Sequence, residues 1–397
     1  MNKSAPYWMW IQQAVGQGSS AVPKLLDAFS SPEEVYAAGR LELQRAGISG
    51  KALDCLCRKS LDAMQRTAER CEKLGWILTP DDKGYPDSLR QLFSPPLALY
   101  GKGILPNLNT PAVPPIGMVG TRKSTAYGDR AAGGIAAGLA AVGSVVISGG
   151  ATGIDCASHQ GALYGGGRTV VVQACGLDVE YPFPNRHLRQ RIVEEGGAVI
   201  TEYLPGTRAF PNHFEVRNRL ISGLAWGVCV VEAPERSGAL ITARHAREQG
   251  RDVFVVPGNI TSAESRGSNE LIKDGATLVT RPSEILREYQ IRCSGVLQED
   301  EADRAQTAYH DYLEHGQEPI RRTLRVADGT KLPVQMPCPD GASDLAKAVY
   351  EALTDTPITA EELCSISGIP AGKLFSGLTE LELYGCARSY PGKRYSR

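Results

Sequence analysis

From about residue 116 the apolar positions gather into short β-branched runs: Ile116-Gly-Met-Val119, Val145-Val-Ile147, Thr169-Val-Val-Val-Gln173, Ala198-Val-Ile-Thr201, Val228-Cys-Val-Val231 and Val253-Phe-Val-Val256. Segments of helical periodicity alternate with these runs, and glycines cluster just after the strands. Continuous apolar strands separated by helices predict an α/β fold with a doubly wound parallel sheet, covered on both faces. In such sheets a ligand sits at the carboxyl ends of the strands, where the glycine-rich loops fall.

The flanks read differently. Residues 1–105 predict a helical module. Ser31-Pro32-Glu33-Glu34 starts one helix, with Ser as N-cap and Pro at the first helical position. Around Gly47-Ile-Ser-Gly50 two helical patterns meet in a tight turn, as in SAM-like or helical-hairpin modules. Such a unit suits packing or protein contact more often than a nucleic-acid backbone. Prolines 106, 111, 114 and 115 mark a linker before a core spanning 111–287. Residues 288–342 lose periodicity and read as a second linker. Over 343–397 three helices and a basic hairpin predict a winged-helix domain. Its capping box is Thr359-Ala-Glu-Glu362, Leu374, Leu378 and Leu381 form an apolar face, and Arg388, Lys393 and Arg394 are candidate wing contacts. The modest charge of the wing favours protein contact over duplex DNA.

Composition narrows the function classes. The 397 residues carry 43 basic and 44 acidic side chains, a formal net charge of −1, which excludes a protein coating nucleic acid by bulk charge. Any polyanion must be held by a local patch. The ten cysteines form no CxxC pair and lack zinc-site spacing, so no metal is expected and a reducing cytoplasm fits. Met1–Trp10 does not read as a signal peptide. Ala131–Ile154 is uncharged and contains Gly134-Ile-Ala-Ala-Gly138, but it is weakly hydrophobic and broken by glycines. A closely packed helix followed by a strand is expected there, not a membrane span.

Candidate chemistry lies in the core. The first strand runs into Gly120-Thr-Arg-Lys-Ser-Thr125, and the second into Ser148-Gly-Gly-Ala-Thr-Gly-Ile-Asp155, each opening a helix. Two such turns converging on one cleft suggest backbone amides and Arg122 around a phosphate. No P-loop or dinucleotide GxGxxG is present, so no nucleotide cofactor follows. Asp155 and His159, four apart on one helix, form a conceivable acid–base pair, although helix capping by Asp155 and a local hydrogen bond from His159 are favoured. Arginines 186, 189, 191, 208, 217 and 219 bunch at strand-end loops with Tyr181, Phe183, Phe210 and Phe214 among them. Arginine on phosphates with aromatics under bases is the chemistry of single-stranded nucleic-acid binding.

Seven blocks in order then resemble one family. They are Met118-Val-Gly-Thr-Arg122; Ser148–Asp155 with His159 and Ala162-Leu163; Tyr181-Pro-Phe-Pro-Asn185; Arg217-Asn-Arg-Leu-Ile-Ser-Gly-Leu224; Val231-Glu-Ala233 with Ser237–Ala243; Val255-Val-Pro-Gly258; and Asn269–Ala276. Together they resemble the DprA/Smf family (DNA-processing protein A) over roughly 116–280. The resemblance implies a Rossmann-like core and a cytoplasmic protein that binds single-stranded DNA. It further implies loading of a RecA-type recombinase onto that DNA during natural transformation and recombination, and a homodimer formed through the Rossmann-like domain. No established catalytic activity, cofactor or membrane comes with it. The DNA-binding set it implies contains Gly120, Thr121, Arg122, Gly149, Asn185, Arg186, Arg208, Arg217, Asn218 and Arg219. Phe210 or Phe214 supplies the base platform, and Arg217 and Arg219 orient the pocket. The chain departs from the family pattern at Thr152, where an arginine is usual, and at Phe183, where a basic residue is common and Arg186 is a stand-in.

The competing class is a Rossmann-like nucleotide or N-glycoside hydrolase with Glu232 as base. Against it, the chain lacks the PGGxGTxxE signature, and Glu232 is followed by Ala-Pro.

Overall fold

The computed structural model describes residues 2–293, 297–316, 342–353, 358–383, 387–390 and 394–396. The chain divides into two compact units, 1–325 and 326–397.

The first unit is built on a sheet of nine strands among the described residues: β1 (Trp76–Leu78), β2 (Leu99–Gly103), β3 (Ile116–Val119), β4 (Val146–Ser148), β5 (Thr169–Val172), β6 (Ala198–Thr201), β7 (Gly227–Val230), β8 (Asp252–Val255) and β9 (Thr277–Leu278). Their order is β1-β2-β6-β5-β4-β3-β7-β8-β9. Strands β3 to β9 are mutually parallel. The predicted Rossmann-like α/β fold is therefore observed. The chain winds outward from β3 through β4, β5 and β6, then returns to β7 on the other side of β3. This reversal is the topological switch point where doubly wound sheets bind ligands.

Helices Ala126–Ala141 and Ile154–Tyr164 pack on one face of the sheet, and Pro211–Leu224 and Gly238–Glu248 on the other. Strands β3 to β7 are buried along their whole length, which is why they read as unbroken apolar runs.

Two expectations require correction. Residues 1–105 are not wholly helical: after the helix Leu61–Leu74, β1 and β2 extend the main sheet, β2 running antiparallel to β6. Sequence reading passes over β2 because Leu99-Tyr-Gly-Lys-Gly103 holds two glycines. The Trp76 ring occupies the space a Cβ at Gly101 would need, and its Nε1 donates to the Gly103 carbonyl at 2.8 Å. The N-terminal helices are keyed to this extension by Gln12. Its amide donates to the Ala98 and Glu202 carbonyls, and its Oε1 accepts from the Leu97 and Ala98 N–H groups.

Nor is 288–342 a linker throughout. Glu299–His315 is a helix lying on Ala126–Ala141. Its contact face is Ala302, Gln306, Tyr309 and His310, too polar to register as an apolar stripe. Gly133, Gly134 and Gly138 face it, and a Cβ on any of them would collide with Tyr309, His310 or the Ala302 backbone respectively. The GxxxG thus admits a neighbouring helix, and no helix among the described residues is long and apolar enough to cross a membrane.

In the second unit, helices Asp344–Ala352, Ala360–Ser367 and Ala371–Leu383 surround a core containing Leu363, Leu374, Leu378 and Leu381. The Thr359–Glu362 capping box is formed. Strands β10 (Ile358–Thr359), β11 (Arg388–Tyr390) and β12 (Arg394–Ser396) complete the predicted winged helix. Arg388 and Arg394 begin β11 and β12. Lys393 lies outside the described residues.

Candidate nucleic-acid interface

Both glycine turns leave the sheet at the same edge, and each is fastened to the other. Gly153 adopts φ 74°, and a Cβ there would collide with the backbone of Thr121 and Arg122. The Ile154 N–H donates to the Thr121 carbonyl at 3.2 Å, and the Thr152 hydroxyl to the Arg122 carbonyl at 3.2 Å. Gly120 allows Ile154 and the Glu232 backbone to close over it, and Gly149 does the same for the Arg217 guanidinium and Asp155. Gly120, Thr121 and Gly149 therefore form the packed floor of the site.

At the first of these helix N-termini a carboxylate of the chain itself stands where a phosphate was expected. Glu232, buried at the end of β7, accepts from the Thr125 N–H at 2.9 Å and the Thr125 hydroxyl at 2.6 Å. The same hydroxyl accepts from the Gly128 N–H at 3.1 Å, so a carboxylate already occupies the positive end of the helix Ala126–Ala141. With both oxygens engaged, Glu232 is a structural cap rather than the base that the hydrolase reading requires. At the second turn, Asp155 accepts from the Ala151 N–H at 3.2 Å and faces Arg217. Burial raises its pKa more than Arg217 and the hydrogen bonds lower it. His159 is fully buried on Thr169, with Nδ1 2.7 Å from the Thr169 hydroxyl, so it reaches no surface ligand.

Above this floor the arginines and aromatics meet. Arg217, 4% exposed, donates from Nη1 to the Gly149 and Val172 carbonyls and from Nε to Asn218 Oδ1 at 3.1 Å. Burial pushes its pKa down to about 10, the carboxylate of Asp155 opposing. Arg217 thereby ties β4, β5 and the helix Pro211–Leu224 together beneath the site. Asn218 continues the network, donating to the Gly238 carbonyl at 3.2 Å. Arg219 points elsewhere, into a buried pair with Glu202 at 2.6 Å.

Phe214, half-buried, carries the Arg122 guanidinium 4.5 Å and that of Arg217 5.7 Å from its ring centroid, with the Tyr181 ring at 5.6 Å. Arg122 is exposed and makes no ion pair among the described residues, and the same holds for Lys123, Arg186 and Arg208. Phe210 precedes the helix Pro211–Leu224, 51% exposed, with the His213 ring edge-on at 5.3 Å. Phe214 thus supports Arg122, and Phe210 is the more exposed of the two rings. Asn185, buried, fastens the Tyr181–Asn185 loop by donating to the Gly150 and Ala151 carbonyls at 3.1 and 2.9 Å. The structure adds Lys123 to the exposed edge, where Tyr181 and Phe183 also stand. Lys123 stands in the glycine turn beside Arg122, which drew attention first. Among the described residues no His, Cys, Asp and Glu side chains gather as a metal site.

Comparison with known proteins agrees with this layout. A family model described as DNA recombination-mediator protein A matches residues 76–290, beginning with β1, and one described as the DprA winged helix domain matches 334–393. Protein Smf of Synechocystis sp. is 32% identical over 402 residues, covering 100% of this chain and 99% of its own length. Protein Smf of Escherichia coli is 33% identical over 316 residues, with 80% and 76% covered. Among solved structures, that of DNA processing protein A from Streptococcus pneumoniae has a TM-score of 0.62 and 33% identity, covering 71% of this chain and 97% of that one.

Proposed function

The chain belongs to the DprA/Smf family of DNA-processing proteins, and we propose that it binds single-stranded DNA across the carboxyl edge of its parallel sheet. Arg122, Arg186 and Arg208 take phosphates and Phe210 stacks a base, while Arg217, Asn185 and Asn218 hold the loops in register. The observation that carries this reading is Arg122: an exposed guanidinium kept 4.5 Å over the Phe214 ring, with unpaired cations and an open aromatic beside it. Stacking on Phe214 pre-orients the guanidinium while leaving its N–H edge free for a phosphate. A duplex hides its base faces, so the open platform selects single strands.

On this reading the protein serves recombination and DNA uptake from the cytoplasm by delivering a RecA-type recombinase onto the bound strand. It does so as a homodimer formed through the Rossmann-like domain. Fluorescence anisotropy with single-stranded and duplex oligonucleotides of equal length tests the binding. Arg122→Ala is expected to lower single-strand affinity tenfold or more, as for a charge-assisted hydrogen bond, and to reduce the log–log salt slope by about 0.7. Unchanged affinity in that variant refutes the site. Recombinase assembly on strands precoated with single-strand-binding protein, with and without the chain, tests the delivery role.

A further inference from the structure

A second aromatic–guanidinium pair stands on the same edge, away from Arg122. Phe183 is 60% exposed, and the Arg186 guanidinium lies 4.7 Å from its ring centroid. One exposed phenylalanine is ordinary and carries nothing by itself. What sets this one apart is the rigidity of its loop. Asn185 pins the loop to the Gly150 and Ala151 carbonyls, and Arg189 Nη1 donates to the Pro182 carbonyl at 3.1 Å. Phe183 itself opens the short 3-10 turn Phe183–Asn185, which leads directly into the helix carrying Arg186. The ring is thus presented to water from a fixed backbone, with a cation resting on it.

We infer that Phe183 and Arg186 form a second station for the same strand, a base stacking on Phe183 while the Nη groups of Arg186, whose Nε donates to His187 Nε2 at 3.2 Å, bind a neighbouring phosphate. The inference rests on the single-strand reading above. Tyr181, against Phe214, is two residues from Phe183, a span of about 7 Å at most, so the two stations engage nucleotides close together on one chain. Every base has a π-face, so this station is indifferent to sequence. It adds a requirement for unpaired bases.

The test compares wild type, Phe183→Leu, Phe183→Trp, Arg186→Gln and Arg122→Ala on fluorescein-labelled oligothymidylate across a salt series. Phe183→Leu is expected to weaken binding about fivefold to a hundredfold with an unchanged salt slope. Arg186→Gln is expected to lower the slope by about 0.7. Phe183→Trp restores affinity and gains an indole quenching on binding that wild type lacks. Wild-type affinity in Phe183→Leu alongside a weakened Arg122→Ala overturns the second station and leaves the first standing. Weakened Phe183→Leu without rescue or quenching in Phe183→Trp also overturns it, assigning the ring to loop structure. Wild-type affinity in both Phe183→Leu and Arg122→Ala removes the underlying single-strand site.

Discussion

Acidification should unfold this protein partly through one histidine. Thr169 Oγ1 donates to the Val146 carbonyl at 2.7 Å, so it can only accept from His159, whose proton therefore sits on Nδ1. Among the described residues, Nε2 is buried without a partner. A second proton would place an N–H with no acceptor in the interior, near the Arg217 guanidinium. Burial, reinforced by Arg217, accordingly pushes the imidazole from 6.5 down to about 3. The unfolded chain takes up this proton below pH 6.5 and the folded chain does not. The stabilisation is thus complete above pH 6.5 and is lost as pH falls toward 3. At about 1.4 kcal/mol per unit, the loss is about 2 kcal/mol at pH 5 and about 5 kcal/mol by pH 3. Urea unfolding from pH 7 to pH 4 checks this, with His159→Asn as reference because its amide can still donate to Thr169. Asp155 and Glu202, whose pKa values burial raises, titrate with the opposite sign and are common to both proteins. Wild type should lose stability faster than the variant by about 1.4 kcal/mol per pH unit below 6. Parallel curves would refute the buried neutral imidazole.

Other substitutions probe the packing that positions the site. Gly161→Ala drives a Cβ into the Gly133 carbonyl of the adjacent helix, so thermal unfolding should register a loss of about 1–3 kcal/mol. Arg219→Met strands the buried Glu202 carboxylate and should cost about 3–5 kcal/mol in denaturant unfolding, much of it recovered by adding Glu202→Gln. Gln12→Leu removes four buried hydrogen bonds and should expose the N-terminal helices to limited proteolysis, while single-strand affinity stays at the wild-type level.

The central strands were legible because burial on both faces leaves no polar alternation to confuse them. The winged helix was legible because its capping box and leucine spacing are local signals. The edge strands were not, since Leu99–Gly103 owes its place to a tryptophan lying over a glycine, a contact that no local pattern announces. Glu299–His315 was missed for the same kind of reason: tyrosine and histidine pack against bare glycines, so its buried face looks polar. At the site, residue types were readable but their depth was not. By residue type Arg122 and Arg217 are alike, and only the resemblance gave Arg217 an orienting role; in the structure one is exposed and the other is an internal strut. Only the order of layers around Phe214 separates them.

On the proposed reading, that layering also accounts for a chain of net charge −1 preferring a strand over a small anion. Helix N-termini at a switch point ordinarily attract phosphate. Here Glu232 caps the first of them, and Asp155 sits in the first turn of the second beside Arg217. The first carboxylate takes the place of a compact anion at its helix, and Arg122, Lys123, Arg186 and Arg208, which make no ion pair among the described residues, stand exposed on the rim. A single phosphate reaches one such cation in high dielectric and gains little. In the proposed binding mode a strand reaches several at once and adds base stacking on rings the loops hold in place, so its affinity would come from continuity rather than from charge density.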